Sequence, residues 1–244
     1  IGQNDLKNKL TELVQSNKLS RFVVIEGVRG AGKKTLALWL TETLNTSVYR
    51  LPDVKIDTIR RMIEDVYTTQ SELTVLISDA HKMSISAKNS LLKIVEEPPN
   101  KVRFILTSEE GDGLLPTIRS RATVFKMLPY TTSEIIEYAC LEKPDISDSE
   151  KNIISRLCAT PYDVQLFFES GGTEFYDYMQ TVLDNVGAVE LYNAFKIGQK
   201  ICMKDDSSGY DLSFFLSVFA QSCLERALEE TSTSDMYSRW LKIT

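Results

Sequence analysis

The sequence predicts an α/β fold with a doubly wound parallel sheet, followed by two helical domains. A β-branched and aromatic run at 21–27 and a continuous apolar run at 73–81 are typical of buried parallel strands, and two further strands are predicted at 101–108 and 122–128. Segments with helical periodicity, at 33–44 and 84–97, alternate with these runs. Alternation of this kind is typical of a parallel sheet, whose ligands bind outside the carboxyl ends of the strands.

The pattern changes after Pro129, where only helical periodicity remains. The predicted helices are at about 131–142, 147–158, 161–169, 173–184, 187–202 and 211–229. The turn ESGGTE at 169–174 is the best boundary within this region. We therefore predict an α/β domain at 1–129, a small helical domain at 130–170 and a C-terminal helical domain at 171–244.

Composition narrows the class of protein. The 244 residues are 43% hydrophobic and 25% charged, which is ordinary for a globular protein. The net charge of −6 argues against a dedicated nucleic-acid binder, although local basic surface remains an open alternative. No segment resembles a signal peptide or is apolar for long enough to span a bilayer, so a cytoplasmic location is expected.

The cysteines and the single histidine do not form a metal-ligand pattern. Cys140, Cys158, Cys202 and Cys223 are widely spaced, and His81 is the only histidine. A zinc site needs closely spaced ligands, so none is expected. We predict that the cysteines are buried free thiols and that His81 packs or hydrogen-bonds locally.

The segment GVRGAGKKT, which starts at Gly27, nearly matches the phosphate-binding pattern G-x-x-x-x-G-K-[ST]. It follows a predicted strand and opens a predicted helix, which is the context that such a loop requires. The candidate nucleotide-binding residues are Gly27, Gly30, Ala31, Gly32, Lys33, Lys34 and Thr35. The alternative is that the loop binds nothing and is kept for its fold.

Lys34 is the departure from this pattern. It occupies the position of the hydroxyl residue that binds magnesium, and Thr35 is rotated from that position by about 100° around the helix. One hypothesis is that the Lys34 ammonium replaces part of the metal's charge, so that ADP or ATP binds without metal. The alternative is a solvated surface lysine.

Several segments, in this order and spacing, resemble clamp-loader AAA+ proteins, which place ring-shaped sliding clamps on primed DNA. They are IGQNDLKNKL, GVRGAGKKT, VLISDAHKMSISAKNSLLKIVEEPP, FILTS and PTIRSRATVF. The resemblance is strong over residues 1–130 and is greatest to bacterial subunits of the delta-prime type. It implies an AAA+ P-loop domain, a helical lid domain and a C-terminal collar-like oligomerisation domain, which is shorter here than a full collar domain.

The resemblance also implies a damaged magnesium site. In the family, the acidic strand ends in Asp-Glu, and the matching residues here are Ser78 and Asp79. In an alternative alignment, Asp79 is itself the metal ligand and Ala80 follows it. Neither alignment supplies a catalytic carboxylate, so we expect a loop that does not support hydrolysis, since phosphoryl transfer depends on the metal.

The segment PTIRSRATVF resembles the family's Ser-Arg-Cys segment, in which the arginine projects into the ATP site of a neighbouring subunit. The match makes Ser120-Arg121 the pair and Arg121 the arginine finger; Arg119 is the competitor if the alignment shifts. The alternative for Arg121 is a surface salt bridge.

Two further positions resemble sensors of the nucleotide's phosphates. Ser108 matches the polar residue that contacts the γ-phosphate or the attacking water, although a strand-end serine that bonds to local backbone is equally consistent. Tyr162 replaces a second sensor arginine.

The resemblance therefore implies a clamp-loader subunit of a DNA polymerase complex, without ATPase activity of its own. The expected partners are other clamp-loader subunits in a hetero-pentamer, the sliding clamp and, through the complex, primer-template DNA. ATP or ADP is the expected cofactor, with a degraded magnesium site and no zinc. The alternatives are an active clamp-loader ATPase, with Thr35 and Asp79 around the metal, and a nucleotide-binding AAA+ adaptor outside replication.

Overall fold

The computed structural model describes residues 1–109, 114–185 and 212–230. The chain divides into two compact units, Ile1–Thr131 and Thr132–Thr244. The three-domain division, with boundaries at 129 and 170, stays a prediction. The helix predicted at 187–202 and Cys202 lie outside the described residues.

The first unit contains a parallel sheet, as predicted, but the sheet has five strands where four were predicted. Its strands are β1 (Phe22–Glu26), β2 (Ser47–Arg50), β3 (Leu73–Ile77), β4 (Val102–Ser108) and β5 (Thr123–Lys126). Their order in the sheet is β2-β3-β4-β1-β5. Since β1 lies between β4 and β5, the residue that ends β1 has neighbours from the ends of both strands.

Helices cover both faces of this sheet. They are α1 (Asn4–Gln15), α2 (Lys33–Leu44), α3 (Ile56–Thr68), α4 (Ile85–Glu96) and the single turn α5 (Pro116–Arg119). Successive residues of β1 point to opposite faces. Phe22 and Val24 pack in the core with α3, α4 and α5, and Val23 and Ile25 pack in the core with α1 and α2. The phosphate-loop helix and the arginine segment therefore cover opposite faces.

Local chemistry sets several element boundaries. Ser84 caps α4, since its hydroxyl accepts from the backbone N–H of Ala87 at 3.2 Å. The predicted strand 73–81 is too long: β3 ends at Ile77, and Ala80–Lys82 forms a 3₁₀ turn after Asp79, which has a left-handed φ of 54°.

The second unit is helical in its described part. Its helices are α6 (Thr132–Glu142), α7 (Asp148–Leu157), α8 (Pro161–Glu169), α9 (Thr173–Asn185) and α10 (Leu212–Glu230). Capping boxes begin α7 and α8, where Ser147 pairs with Glu150 and Thr160 pairs with Asp163. These local signals explain why the helix boundaries agree with the sequence prediction to within about two residues.

The burial of the cysteines differs in part from the prediction. Cys140, Cys158 and Cys223 form no disulfide among the described residues. Cys158 is buried, and burial raises the pKa of its thiol. The predicted burial is wrong for Cys140 and Cys223, which are half-buried because each lies at the edge of its helix's packed face. Across the described ranges, no helix is long and apolar enough to cross a membrane.

Candidate functional site

The phosphate loop connects the end of β1 to the start of α2. Gly30 and Gly32 have left-handed φ values of 81° and 82°, a conformation that favours glycine. Gly32 is the residue before α2, and no side chain caps this helix. The backbone N–H groups at the start of α2 are therefore left for an anion, which the positive end of the helix dipole also attracts.

Lys33 is buried and held against the loop. Its Nζ donates to the carbonyl oxygens of Gly27 at 2.9 Å and Val28 at 2.7 Å. Burial lowers the pKa of Lys33, and the negative charges of Glu109 and Asp79 partly offset this effect. An ammonium group has three N–H donors, so the two carbonyls leave one for a phosphate oxygen.

Lys34 and Thr35 both lie in the first turn of α2, and both are exposed. Neither side chain is committed to packing in the core. Their predicted roles in binding nucleotide stay predictions.

The acidic strand end is turned toward solvent. The Asp79 carboxylate is 49% exposed, and its Oδ2 accepts a hydrogen bond from Lys82 Nζ at 3.2 Å. The Asp79 backbone N–H donates to the Thr107 hydroxyl at 3.0 Å, which ties the end of β3 to the end of β4. The Lys82 ammonium therefore lies beside the carboxylate on which a metal would depend.

Ser108 is the last residue of β4, and its carbonyl accepts from the N–H of Gly27 at 3.3 Å. The residue is 1% exposed, and its hydroxyl has no hydrogen-bond partner among the described residues. Ser108 pairs with Glu26 in the register of β4 and β1. It therefore contacts the first residue of the phosphate loop through its backbone, and its predicted sensor role stays a prediction.

Glu109, which follows Ser108, was not predicted as a site residue. Its backbone N–H donates to His81 Nδ1 at 3.2 Å, and its carboxylate Oε1 lies 3.7 Å from His81 Nε2. Since Nδ1 accepts, the proton of the neutral imidazole is on Nε2, on the side of the carboxylate. The local hydrogen bond predicted for His81 is thus confirmed, and its partner is Glu109.

The two candidate arginines have different surroundings. Arg119 reaches inward and donates to both carboxylate oxygens of Glu26, at 2.5 Å and 3.0 Å. Arg121 is 42% exposed at the surface; its Nη2 lies 2.9 Å from Glu96 Oε1, and its Nη1 donates to the Thr117 carbonyl at 3.1 Å. The surface salt bridge that sequence analysis left open for Arg121 is therefore present.

The comparisons with known proteins agree with the resemblance. A family model described as DNA polymerase III, delta subunit, matches residues 50–131. DNA polymerase III subunit gamma of Buchnera aphidicola is 26% identical over 168 residues, which cover 57% of this chain and 46% of that protein. Replication factor C small subunit of Methanococcus maripaludis is 24% identical, over 62% of this chain and 50% of that protein.

These matches show that the chain is similar to clamp-loader AAA+ proteins. It spans about half the length of the curated relatives that it matches.

Solved structures of two Thermotoga maritima proteins share the AAA+ P-loop fold of this chain. One is a DNA polymerase III gamma subunit-related protein, with a TM-score of 0.52 and 18% identity over 97% of this chain and 77% of that one. The other is the RuvB Holliday junction branch migration motor, with a TM-score of 0.56 and 18% identity over 90% of this chain and 69% of that one. The predicted fold class is confirmed.

The loop between β1 and α2 fits phosphate groups. It presents uncapped helix N–H groups, two glycines in the left-handed conformation and the positioned ammonium of Lys33. The Tyr130 hydroxyl adds a contact from the end of this unit, since it donates to the Ala31 carbonyl at 2.8 Å.

A magnesium ion does not fit the same residues. Position 34 carries an ammonium in place of an oxygen ligand, and at the end of β3 the acidic residue Asp79 stands between Ser78 and Ala80, with the Lys82 ammonium beside it. Magnesium prefers carboxylate and phosphate oxygens in octahedral geometry, and these residues supply too few of them. We therefore assign no step to a metal.

Three residues of the site were missed by sequence reasoning: Glu26, Glu109 and Tyr130. Each follows or ends an apolar run, which is the one local signal that they share. Their partners lie far away in the chain, and no local pattern identifies them. Tyr162 lies in the first turn of α8 in the other unit, and its predicted replacement of a sensor arginine stays a prediction.

Proposed function

We propose that this chain is a clamp-loader subunit of the delta-prime type, which does not hydrolyse ATP and offers Arg121 to the ATP site of a neighbouring subunit. One observation carries the proposal. Of the two arginines in the segment, Arg119 is committed to Glu26, whereas Arg121 lies at the surface in a pair that solvent already reaches. A guanidinium is permanently charged, and its planar fork of donors suits phosphate oxygens.

The residues at the expected metal site support the proposed absence of hydrolysis. Phosphoryl transfer needs a metal to neutralise developing charge and a carboxylate or amide to orient water. Here Lys34 and the Asp79–Lys82 pair occupy the positions where the resemblance expects metal ligands. The chain therefore binds ATP or ADP through its backbone amides and Lys33, as a structural cofactor.

The relatives' names support the choice of partners. They are DNA polymerase III subunit gamma and replication factor C small subunit, both of which are named as parts of replication complexes. We propose that this chain assembles with clamp-loader subunits into a hetero-pentamer in the cytoplasm. Through that complex it acts on the sliding clamp and on primer-template DNA.

The test is steady-state ATPase activity of a complex assembled from this chain and the clamp-loader ATPase subunit of the same organism. Arg121→Ala should lower turnover by roughly 10³-fold or more, since a trans arginine contributes about 10³–10⁵. Arg61→Ala, which removes an exposed arginine of α3, is the matched control and should leave turnover unchanged. Unchanged turnover with Arg121→Ala refutes the proposal, and failure to assemble with any clamp-loader subunit favours an adaptor outside replication.

One observation favours a second candidate, an active ATPase. Glu109 is the acidic residue with the largest electrostatic effect on Lys33, and it supplies a carboxylate that the acidic strand end lacks. Turnover by the purified chain alone, lost in both Lys33→Ala and Glu109→Gln, would support this candidate.

A further inference from the structure

A paired carboxylate is buried directly before the phosphate loop. Glu26 is the last residue of β1 and is 1% exposed, and Gly27 follows it as the first loop residue. Arg119 approaches it from α5, across 93 positions of sequence, and binds both carboxylate oxygens. Two hydrogen bonds of this kind fix the relative orientation of the guanidinium and carboxylate planes, as well as the distance between the two groups.

Glu26 also holds the strand that follows the arginine segment. Its carbonyl accepts from the N–H of Met127 at 2.7 Å, and it pairs with Lys126 in the register of β1 and β5. One residue therefore anchors both ends of the stretch 119–127. Arg121 lies between the two anchors.

The conformation of the stretch 119–127 depends on these two contacts with Glu26. The helix α5 has only four residues, and a single helical turn is unstable unless tertiary contacts hold it. Its buried Ile118 supplies one such contact, and the Ile118 carbonyl accepts from the N–H groups of Arg121 at 3.2 Å and Ala122 at 3.1 Å. The orientation of the Arg121 backbone thus follows the orientation of α5.

We propose that Glu26 and Arg119 are positioning residues that hold Arg121 in the direction in which it meets the neighbour's phosphates. This inference rests on the proposed function. Because Glu26 directly precedes the phosphate loop, the same pair joins this chain's own nucleotide site to the arginine that it offers. Neither residue touches the neighbour's nucleotide; both act through Arg121.

The experiment uses the assembled complex and measures kcat and KM for ATP of the neighbouring subunit. Arg119→Lys keeps the charge but loses the two-bond fork, and the double variant Glu26→Gln with Arg119→Met removes both charges without leaving one buried and unpaired. Both should lower kcat by about 10–100-fold, the effect of displacing a reacting group by about 1 Å, while KM and assembly stay as in wild type. A role confined to folding would change assembly and thermal stability but not kcat of the complexes that form.

The same substitutions are then introduced with Arg121→Ala. If Glu26 and Arg119 act through Arg121, they should cause no further loss in that background, since residues that act as a unit are not additive. Wild-type kcat in the assembled Arg119→Lys and double variants, with Arg121→Ala still inactive, overturns the inference and leaves the proposed function intact. Full activity of Arg121→Ala overturns both.

Discussion

Arg121 Nη2 lies 2.9 Å from Glu96 Oε1 at the C-terminus of α4, and about half of each side chain is exposed. Exposed pairs of this kind contribute about 0–1 kcal/mol. The pair therefore holds Arg121 in place within the free chain without preventing its transfer to a stronger anion. A phosphate that carries several charges is such an anion.

This relationship predicts the effect of Glu96→Gln. With the competing carboxylate removed, Arg121 should engage the neighbour more readily, and complex turnover should rise up to about fivefold, which corresponds to 1 kcal/mol. Glu64→Gln on exposed α3 is the control for the change in net charge. Turnover as low as that of Arg121→Ala would mean that Glu96 holds the arginine in its productive position.

Nucleotide binding by the isolated chain should depend on Lys33. Lys33→Ala should weaken ADP binding about 10–100-fold, because the charge-assisted bond to phosphate is lost. Lys34→Ala, on the neighbouring residue, should matter chiefly in EDTA, where the hypothesis gives its ammonium part of the metal's role. Titration calorimetry with magnesium and with EDTA tests both variants, and strict dependence on magnesium would refute the role of Lys34.

The pH dependence of this binding follows from the same lysine. Burial lowers the pKa of Lys33 in the folded chain, so its ammonium loses its proton at a lower pH than an exposed lysine does. ADP affinity should therefore fall as the pH rises through that lowered pKa. For stability the sign is opposite: above the folded-state pKa the unfolded chain binds more protons, so this group's contribution to stability rises with pH. Affinity that stays constant up to pH 10.5 would contradict this account.

Glu109→Gln should raise ATP affinity. The Glu109 carboxylate attracts the Lys33 ammonium, as a nucleotide phosphate would, so the two compete for it. Removal of the carboxylate should strengthen ATP binding by about 1 kcal/mol, or roughly fivefold in affinity. The effect should be larger for ATP than for ADP, because ATP carries more charge. Unchanged affinity would show that solvent screens Glu109 from the nucleotide.

Removal of Arg119 and removal of Glu26 should lower the free energy of unfolding by different amounts. Arg119→Ala leaves the buried Glu26 carboxylate without its partner and should destabilise the chain by about 3–5 kcal/mol. Glu26→Ala should cost less, because Arg119 is 37% exposed and its guanidinium reaches water. Urea denaturation measures the free energy of unfolding of both variants. Equal losses would contradict the expectation that the more buried charge is the costlier one to leave unpaired.

The phosphate loop could be predicted from the sequence because its signals are local. A β-branched and aromatic run ends in glycine at 27, and helical periodicity begins six residues later. The capped helix α4 was predicted for the same reason, since Ser84 and the apolar spacing lie within one segment. Arg121 was located by the resemblance, and its surface position is consistent with that expectation.

The missed features depend on distant contacts. Strand β2 has four residues, lies at the edge of the sheet and is largely exposed, so it lacks the apolar run of a central strand. The Glu26–Arg119 pair and the Tyr130–Ala31 hydrogen bond join positions 93 and 99 residues apart. Only the order of the strands brings such positions together, and a sequence pattern does not contain that order.

The central claim is that hydrolysis occurs at the neighbour's site and depends on this chain's arginine. The most direct test compares ATP turnover of two complexes, one assembled with Lys33→Ala of this chain and the other with Arg121→Ala. The account predicts that the Lys33→Ala complex keeps most of its turnover and that the Arg121→Ala complex loses about 10³-fold or more. Loss of turnover with Lys33→Ala and normal turnover with Arg121→Ala would show that this chain hydrolyses ATP itself, which contradicts the account.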